Sequence, residues 1–294
     1  MRIGSRLPAH LALAPALLIA LVAYCGAMGW TVWISFTNSR MLPSSVFVGL
    51  RQYTSLVANE RWQVSVVNIA IFGCLFIVAT LVLGFVLAAL IDQRVRGENL
   101  LRTIYLYPLA VSFVVTGTVW SWLLNPGLGI QKFVRSLGWE TFRFDWIIDR
   151  DMALYTIVIA AAWHGAGFAM ALFLAGLRSI DPDLHKAAQI DGAGPMRFYL
   201  RVVLPSIGAI LIAVLVILLQ FAIKTFDLVR ALTGGGPGIA TTLPALVVYD
   251  FMFQRGQLGR GSAAAVLLLL ALLAVLLPYY GYTRWRAARE RQHG

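Results

Sequence analysis

The chain has 294 residues, 60% of them hydrophobic and only 13% charged, with a formal net charge of +11 and a mean hydropathy of +0.78. Soluble domains carry about 25% charged residues, so this composition excludes one and describes a chain that crosses a membrane repeatedly. The basic residues cluster at the ends of apolar stretches rather than on one face, which argues against nucleic-acid binding.

Apolar runs long enough to cross a ~30 Å hydrocarbon layer as helices are read at 11–36, 65–91, 103–124, 154–177, 206–226 and 262–282. The expected fold is therefore all-α, a single polytopic domain over residues 1–294 with six transmembrane helices and both termini on one side. The first run follows Met1-Arg2-Ile3-Gly4-Ser5-Arg6 and far exceeds the ~7–15-residue core of a signal peptide, so it reads as a retained span. Trp30 and Trp33 near its end, with Tyr279, Tyr280, Tyr282 and Trp285 at the end of the last, fit aromatic belts at the membrane interfaces. Asn125-Pro126-Gly127 closes the third run with turn-forming residues. Cys25 and Cys74 lie in spans without a CxxC or a nearby His pair, so neither a disulfide framework nor a metal site is expected.

The fourth run holds Trp163, His164, Gly165 and Gly167 near mid-depth. A polar side chain there is costly and marks either a cavity or a hydrogen bond to a neighbouring helix; the two glycines favour a cavity, because they admit a ligand closely. In the fifth, Gln220, Lys224 and Asp227 follow at i, i+4 and i+7, one helical face. Gln220 is a pathway candidate, whereas Lys224 and Asp227, pathway candidates by position, read more readily as a snorkelling pair at the outer boundary.

Between these two runs, residues 181–205 have the chemistry of a short helix with both ends marked. Asp181 can cap it, Pro182 suits its first position, and Gly192 suits the left-handed residue beyond its end. Leu184, Ala187, Ala188 and Asp191 form one narrow face of mostly small residues, suited to close approach by another protein. The segment reads Lys186-Ala187-Ala188, three residues, Gly192, nine residues, Val202, one residue, Leu204-Pro205. Placing it inside leaves the denser set of basic residues inside as well: Arg2, Arg6, Arg94, Arg96, Arg102, Arg178, Lys186, Arg197, Arg201, Arg284, Arg286, Arg289 and Arg291. Both termini are then cytoplasmic.

The loop over 227–261 contains Thr233-Gly234-Gly235-Gly236-Pro237-Gly238, too glycine-rich for a helix and without the Gly-Lys-Ser/Thr ending of a phosphate-binding loop. As plain chemistry it is a tight turn. The chain also lacks a Gly-x-Ser-x-Gly, a His-Glu-x-x-His and a carboxylate pair within a span, so no enzyme class is indicated.

The 186–205 pattern resembles the EAA loop of ABC importer permeases, with Lys186 where that family usually has Glu. Phe226-Asp227-Leu228-Val229-Arg230-Ala231-Leu232 before the glycines is similar to the corresponding stretch of sugar-type permeases. So are Ser35-Phe36-Thr37-Asn38 leading to Val48-Gly49-Leu50-Arg51-Gln52-Tyr53, Arg102-Thr103-Ile104-Tyr105-Leu106-Tyr107-Pro108, and Val115-Thr116-Gly117-Thr118-Val119-Trp120. Ala188-Gln189-Ile190-Asp191-Gly192-Ala193 looks most like the glucose- or mannose-import type.

The resemblance implies an ABC type I importer permease fold in a bacterial inner membrane, with no cofactor on this chain. It also implies a second permease subunit, two ATPase subunits carrying ATP and Mg, and a periplasmic sugar-binding protein. Under it, Leu184, Lys186, Ala187, Ala188, Asp191, Gly192, Leu204 and Pro205 couple to the ATPase, and Thr233, Gly234, Gly235, Gly236 and Pro237 form the periplasmic loop. In the maltose-type permease the sugar contacts fall at positions matching His164, Gly165, Leu218, Ala222 and Thr225, several of them apolar here. The cargo expected is glucose or a similar monosaccharide, the alternatives being an oligosaccharide, a polyol, or an ion-coupled secondary transporter. The last should show repeated or inverted halves and interrupted helices with charged residues at mid-depth, which are not evident in the sequence.

Overall fold

A computed structural model describes residues 7–93 and 95–293. Arg2, Arg6 and Arg94, used above for orientation, lie outside the described residues, as do the side chains of Tyr282, Trp285, Arg286, Arg289 and Arg291. In chain order the helices are α1 (Leu7–Leu21), α2 (Ala27–Ser35), α3 (Arg51–Val57), α4 (Glu60–Asp92), α5 (Glu98–Ala110), α6 (Phe113–Leu124), α7 (Ile130–Ser136) and α8 (Ala153–Leu177). They continue with α9 (Pro182–Ile190), α10 (Pro195–Phe198), α11 (Leu204–Ser206), α12 (Gly208–Lys224), α13 (Asp227–Leu232), α14 (Pro244–Tyr249) and α15 (Leu258–His293). Among the described residues no strand forms, only an isolated bridge between Thr37 and Phe47. π-helical turns at Val22–Gly26, Tyr199–Val203 and Asp250–Gln254 join α1 to α2, α10 to α11, and α14 to the segment before α15.

Among the described residues four helices are long and apolar enough to span a membrane: Leu13–Ser35, Glu60–Asp92, Ala153–Leu177 and Leu258–Gly281. The run expected at 103–124 is not a straight helix but α5 and α6, bent by 100°. The run expected at 206–226 is α12, Gly208–Lys224, set at 76° to the segment Met196–Ser206 that precedes it. Counting each bent pair as one span gives six. The first break follows Pro108, where Val111 and Ser112 turn extended and the Ser112 hydroxyl accepts from Val115 N at 3.3 Å, starting a new helix. The second lies at Ile207, between Pro205 and Gly208.

The chain forms two compact units, residues 64–246 with 271–294, and residues up to 63 with 247–270. In the larger, α8 is the central helix. It is apolar all round and 72% of its spanning window is buried, as expected for a helix enclosed by others. Its Ile157, Met170 and Phe173 share a core with Phe72 of α4, Leu218 of α12 and Leu228 of α13. Within a bilayer, close packing rather than apolar burial holds helices together, and small residues permit it. A Cβ on Gly165 would meet Thr80 Cγ2 at 3.2 Å, and one on Gly167 would collide with the Tyr105 carbonyl. These two glycines therefore serve helix contacts, and no ligand is needed to explain them.

The smaller unit packs Leu56, Trp62, Val247, Phe251, Ala263 and Ala264 together. Beside them Arg61 Nη2 pairs with Asp250 Oδ2 at 2.8 Å, with side chains 22% and 5% exposed. Arg61→Met strands that carboxylate away from water, and we expect it to cost about 3 kcal/mol. Thermal unfolding in detergent reads this, and adding Asp250→Leu should restore most of the loss.

Candidate coupling and translocation site

The helix expected after Asp181 forms as α9, and both its ends close as the sequence implies. Asp181 Oδ1 accepts from Asp183 N at 2.9 Å. At the other end Gly192 has φ +70, and Ala193 N donates to Ala188 O at 2.9 Å, the longer bond of a Schellman motif. The face read from the sequence is split, however. Leu184, Ala187 and Asp191 are exposed, whereas Ala188 is buried in the core that also holds Phe198, Val203 and Ile207. Ala188 thus seats α9 on its own chain and leaves the other three to face outward. Lys186 is exposed and donates to Asp183 Oδ1 at 2.8 Å, a charge pair within α9 itself. Leu204 is half-buried and Pro205 exposed, ahead of the bend at Ile207.

Beside α9 lies a cleft of about 780 Å³ whose polar wall includes Asp92, Glu98, Arg178, Asp181 and Lys186. Glu98 Oε1 accepts from Arg178 Nη2 and is paired with Arg102 Nη2, each at 2.7 Å; Arg178 Nε lies 3.8 Å from Asp92 Oδ1. This network ties the C-terminal end of α4, the first turn of α5 and the end of α8 together next to α9. Sequence reasoning missed it, although three of its four residues have a local signal. Glu98 opens α5, Arg102 follows at i+4, and Arg178 stands at the C-cap of α8, where helix dipoles favour those charges. The side chains are 22–39% exposed, so Glu98→Gln should lower stability by only about 1 kcal/mol. The loss should shrink at high salt, as denaturation at low and high ionic strength will read.

The pathway candidates separate in space. Trp163 lines a cavity of about 750 Å³ with Leu83, Tyr105, Tyr107 and Trp120, and meets Trp120 edge-on at a centroid distance of 5.9 Å. His164, one residue on, is 6% exposed and turned to α6, with Nδ1 3.5 Å from Thr116 Oγ1 and the ring 4.3 Å from that of Phe113. It occupies the neighbouring-helix role. Gln220 is half-buried on α12, but the single face proposed for Gln220, Lys224 and Asp227 does not exist. The helix stops at Lys224, Thr225 is extended, and Asp227 opens α13. Lys224 and Asp227 are both exposed, and no ion pair joins them among the described residues.

The glycine-rich turn is ordered by its own polar groups. Thr233 Oγ1 and Thr241 Oγ1 share a 2.7 Å hydrogen bond, Thr241 Oγ1 also donates to Gly236 O at 2.7 Å, and Gly236 N donates to Thr233 O at 3.1 Å. Gly234, Gly235 and Gly238 have φ of +62, +93 and +64, and the Gly236–Pro237 bond is cis. Asn68 of α4 fastens the turn by donating to Ala240 O at 2.8 Å and Thr242 O at 3.0 Å. An Asn inside an apolar run was the available signal for this contact. At 1.5 Å per residue, Asn68 and Asp92 lie about 36 Å apart along α4, so the glycine-rich turn and the α9 cleft sit at opposite ends of one helix.

The chain is thus a membrane-spanning helical protein with a capped helix at one end of α4 and an ordered polar turn at the other. The chain belongs to the binding-protein-dependent transport system inner membrane components, the permease subunits of ABC importers, and the family match covers residues 81–291. It is 39% identical over 269 residues to the "probable ABC transporter permease protein" of Pyrococcus horikoshii, covering 91% of this chain and 92% of that one. It is 33% identical over 272 residues to the xylose/arabinose import permease protein of Haloferax volcanii, covering 91% and 85%. The fold matches that of a bacterial ABC transporter involved in the import of the acidic polysaccharide alginate, with a TM-score of 0.79 over 97% of this chain and 99% of that one at 21% identity.

Proposed function

We propose that this chain is one half of the pore of an ATP-driven importer that carries a neutral sugar, glucose or a similar monosaccharide, from periplasm to cytoplasm. A second permease completes the pore, a periplasmic sugar-binding protein delivers the cargo to the side of the glycine-rich turn, and two ATPase subunits holding ATP and Mg act on α9. The orientation proposed puts α9 and both termini in the cytoplasm. The observation that carries this reading is α9 itself, closed at both ends, seated through Ala188 and presenting Leu184, Ala187 and Asp191 outward. A rigid lever of this kind passes on the movement of whatever grips it, so ATP-driven closure biases which side of the pore is open.

A neutral cargo is favoured over an acidic one because the Trp163 cavity is lined by aromatic and aliphatic residues, with no Lys or Arg among them. Flat aromatic faces suit sugar rings, whereas an acidic polysaccharide needs cations to replace its hydration. The test is to reconstitute the complex and measure its ATPase with binding protein loaded with different sugars. Stimulation by a monosaccharide-loaded form is expected. Stimulation only by oligosaccharide-, polyol- or uronate-loaded forms moves the cargo class, and uptake driven by an ion gradient without ATP refutes the reading.

A further inference from the structure

The helix Leu13–Ser35 is only 6% buried over its spanning window, and Trp30 and Trp33 near its end are 58% and 47% exposed. Directly beyond it the chain turns back on itself. Asn38 N donates to Val46 O at 2.9 Å and Val48 N to Phe36 O at 2.8 Å, which returns the Phe47 ring to 6.3 Å from Trp33 and 6.2 Å from Phe36. Phe47 is thereby held beside Trp33, close to the end of the helix at Ser35.

The turn is firmly built inside. Thr37 Oγ1 and Ser39 Oγ share a 2.6 Å hydrogen bond, Ser39 Oγ accepts from Ser44 N at 2.9 Å, and Ser39 O accepts from Gly259 N at 2.9 Å. Thr37, Ser39 and Ser44 thus spend their hydroxyls within the turn, while its exposed surface, which also carries Asn38 and Ser45, displays large apolar side chains: Met41 is 84% exposed, Leu42 79%, Phe47 63% and Leu50 64%. Arg40 and Arg51 flank this surface, both exposed and without an ion pair among the described residues. Four large apolar side chains displayed together on a turn whose hydroxyls are bonded internally make a poor surface for water. Apolar side chains, a neighbouring aromatic belt and flanking arginines at the end of a span are the chemistry of the headgroup boundary.

We propose that residues 36–51 form an interfacial anchor. Met41, Leu42, Phe47 and Leu50 enter the boundary between headgroups and acyl chains, and Arg40 and Arg51 hold the phosphates of anionic lipids. The anchor fixes the depth of the first span, and it stands or falls independently of the cargo and of coupling.

The test places a nitroxide on Leu42→Cys in a Cys25→Ala, Cys74→Ala background, in the assembled transporter in nanodiscs containing phosphatidylglycerol. Because Leu42 is exposed, the variant should fold. The label should collide with oxygen in preference to a water-soluble nickel chelate. Nickel access equal to that of free label in buffer overturns the proposal, and so does shielding from both reagents, which would mean that another protein chain covers the turn. In a second variant, Arg40→Gln with Arg51→Gln, phosphatidylglycerol retention measured by native mass spectrometry should fall about fivefold for each arginine removed. Unchanged retention overturns the role given to the arginines.

Discussion

Gly192→Pro should abolish ATP-dependent uptake while the chain still inserts and is recovered in normal amount. Gly192 closes α9 at φ +70, a conformation that proline, fixed near −65°, cannot adopt. The bond from Ala193 N to Ala188 O depends on that left-handed residue. Without it the last turn of α9 frays, and the attachment through Ala188 no longer carries a stiff helix. Nothing lies within 4 Å of a Cβ at Gly192, so the damage acts through the backbone and spares the buried core. Gly192→Asn is the control. Asn enters the left-handed region at modest cost, and most of the uptake should survive. Uptake in membrane vesicles, with insertion followed on the same samples, separates the two; full activity of the proline variant would remove α9 from the coupling route.

Gly84→Val should destabilise the bundle more than any surface change. A Cβ at Gly84 would stand 2.5 Å from Ala169 Cβ and 2.9 Å from Met170 N, where α4 crosses α8. One of the obstacles is main chain in the central helix, so no side-chain rotation relieves the clash, and the helices must separate. Two further methyl groups deepen it. Overpacking of this kind costs about 3 kcal/mol or more. We expect a large fall in the thermal unfolding midpoint in detergent and poor recovery of assembled complex. Gly29→Ala, with nothing within 4 Å of the added Cβ, should change stability by less than about 0.5 kcal/mol. A Gly84→Val chain as stable as the parent would mean that α4 and α8 do not cross at this point.

These two glycines also mark how far the sequence could be read. The role of Gly192 is local, since a capping Asp, a proline at the helix start and a glycine past its end lie within twelve residues, and the chain obeys them. The role of Gly84 depends on Ala169 and Met170, far along the chain, and nothing near it announces the crossing. The same division explains the errors. Hydropathy averages over a window and passes straight through a break made by a few residues, so Pro108 to Ser112 were absorbed into one continuous span. Periodicity placed Ala188 beside Leu184 and Ala187 but could not say which of them the chain itself would cover. It also carried Asp227 onto the face of Gln220 and Lys224 because it assumed a helix through Thr225. His164 could be placed near mid-depth from the sequence, whereas its partner Thr116 belongs to another helix and was out of reach. The Asp92, Glu98, Arg102 and Arg178 network is assembled from three helix ends, and only those of α5 and α8 carry charges that their own helix favours.

The central claim, that α9 is the part gripped by an ATPase, is tested most directly by cross-linking from its exposed face in the assembled transporter. Ala187→Cys, in a chain free of Cys25 and Cys74, should form a cross-link of short span to the ATPase subunit and become shielded from water-soluble thiol reagents on assembly. An Ala187→Cys thiol that reacts as fast in the assembled, ATP-bound transporter as in the isolated chain, and cross-links to no ATPase subunit, would contradict the account.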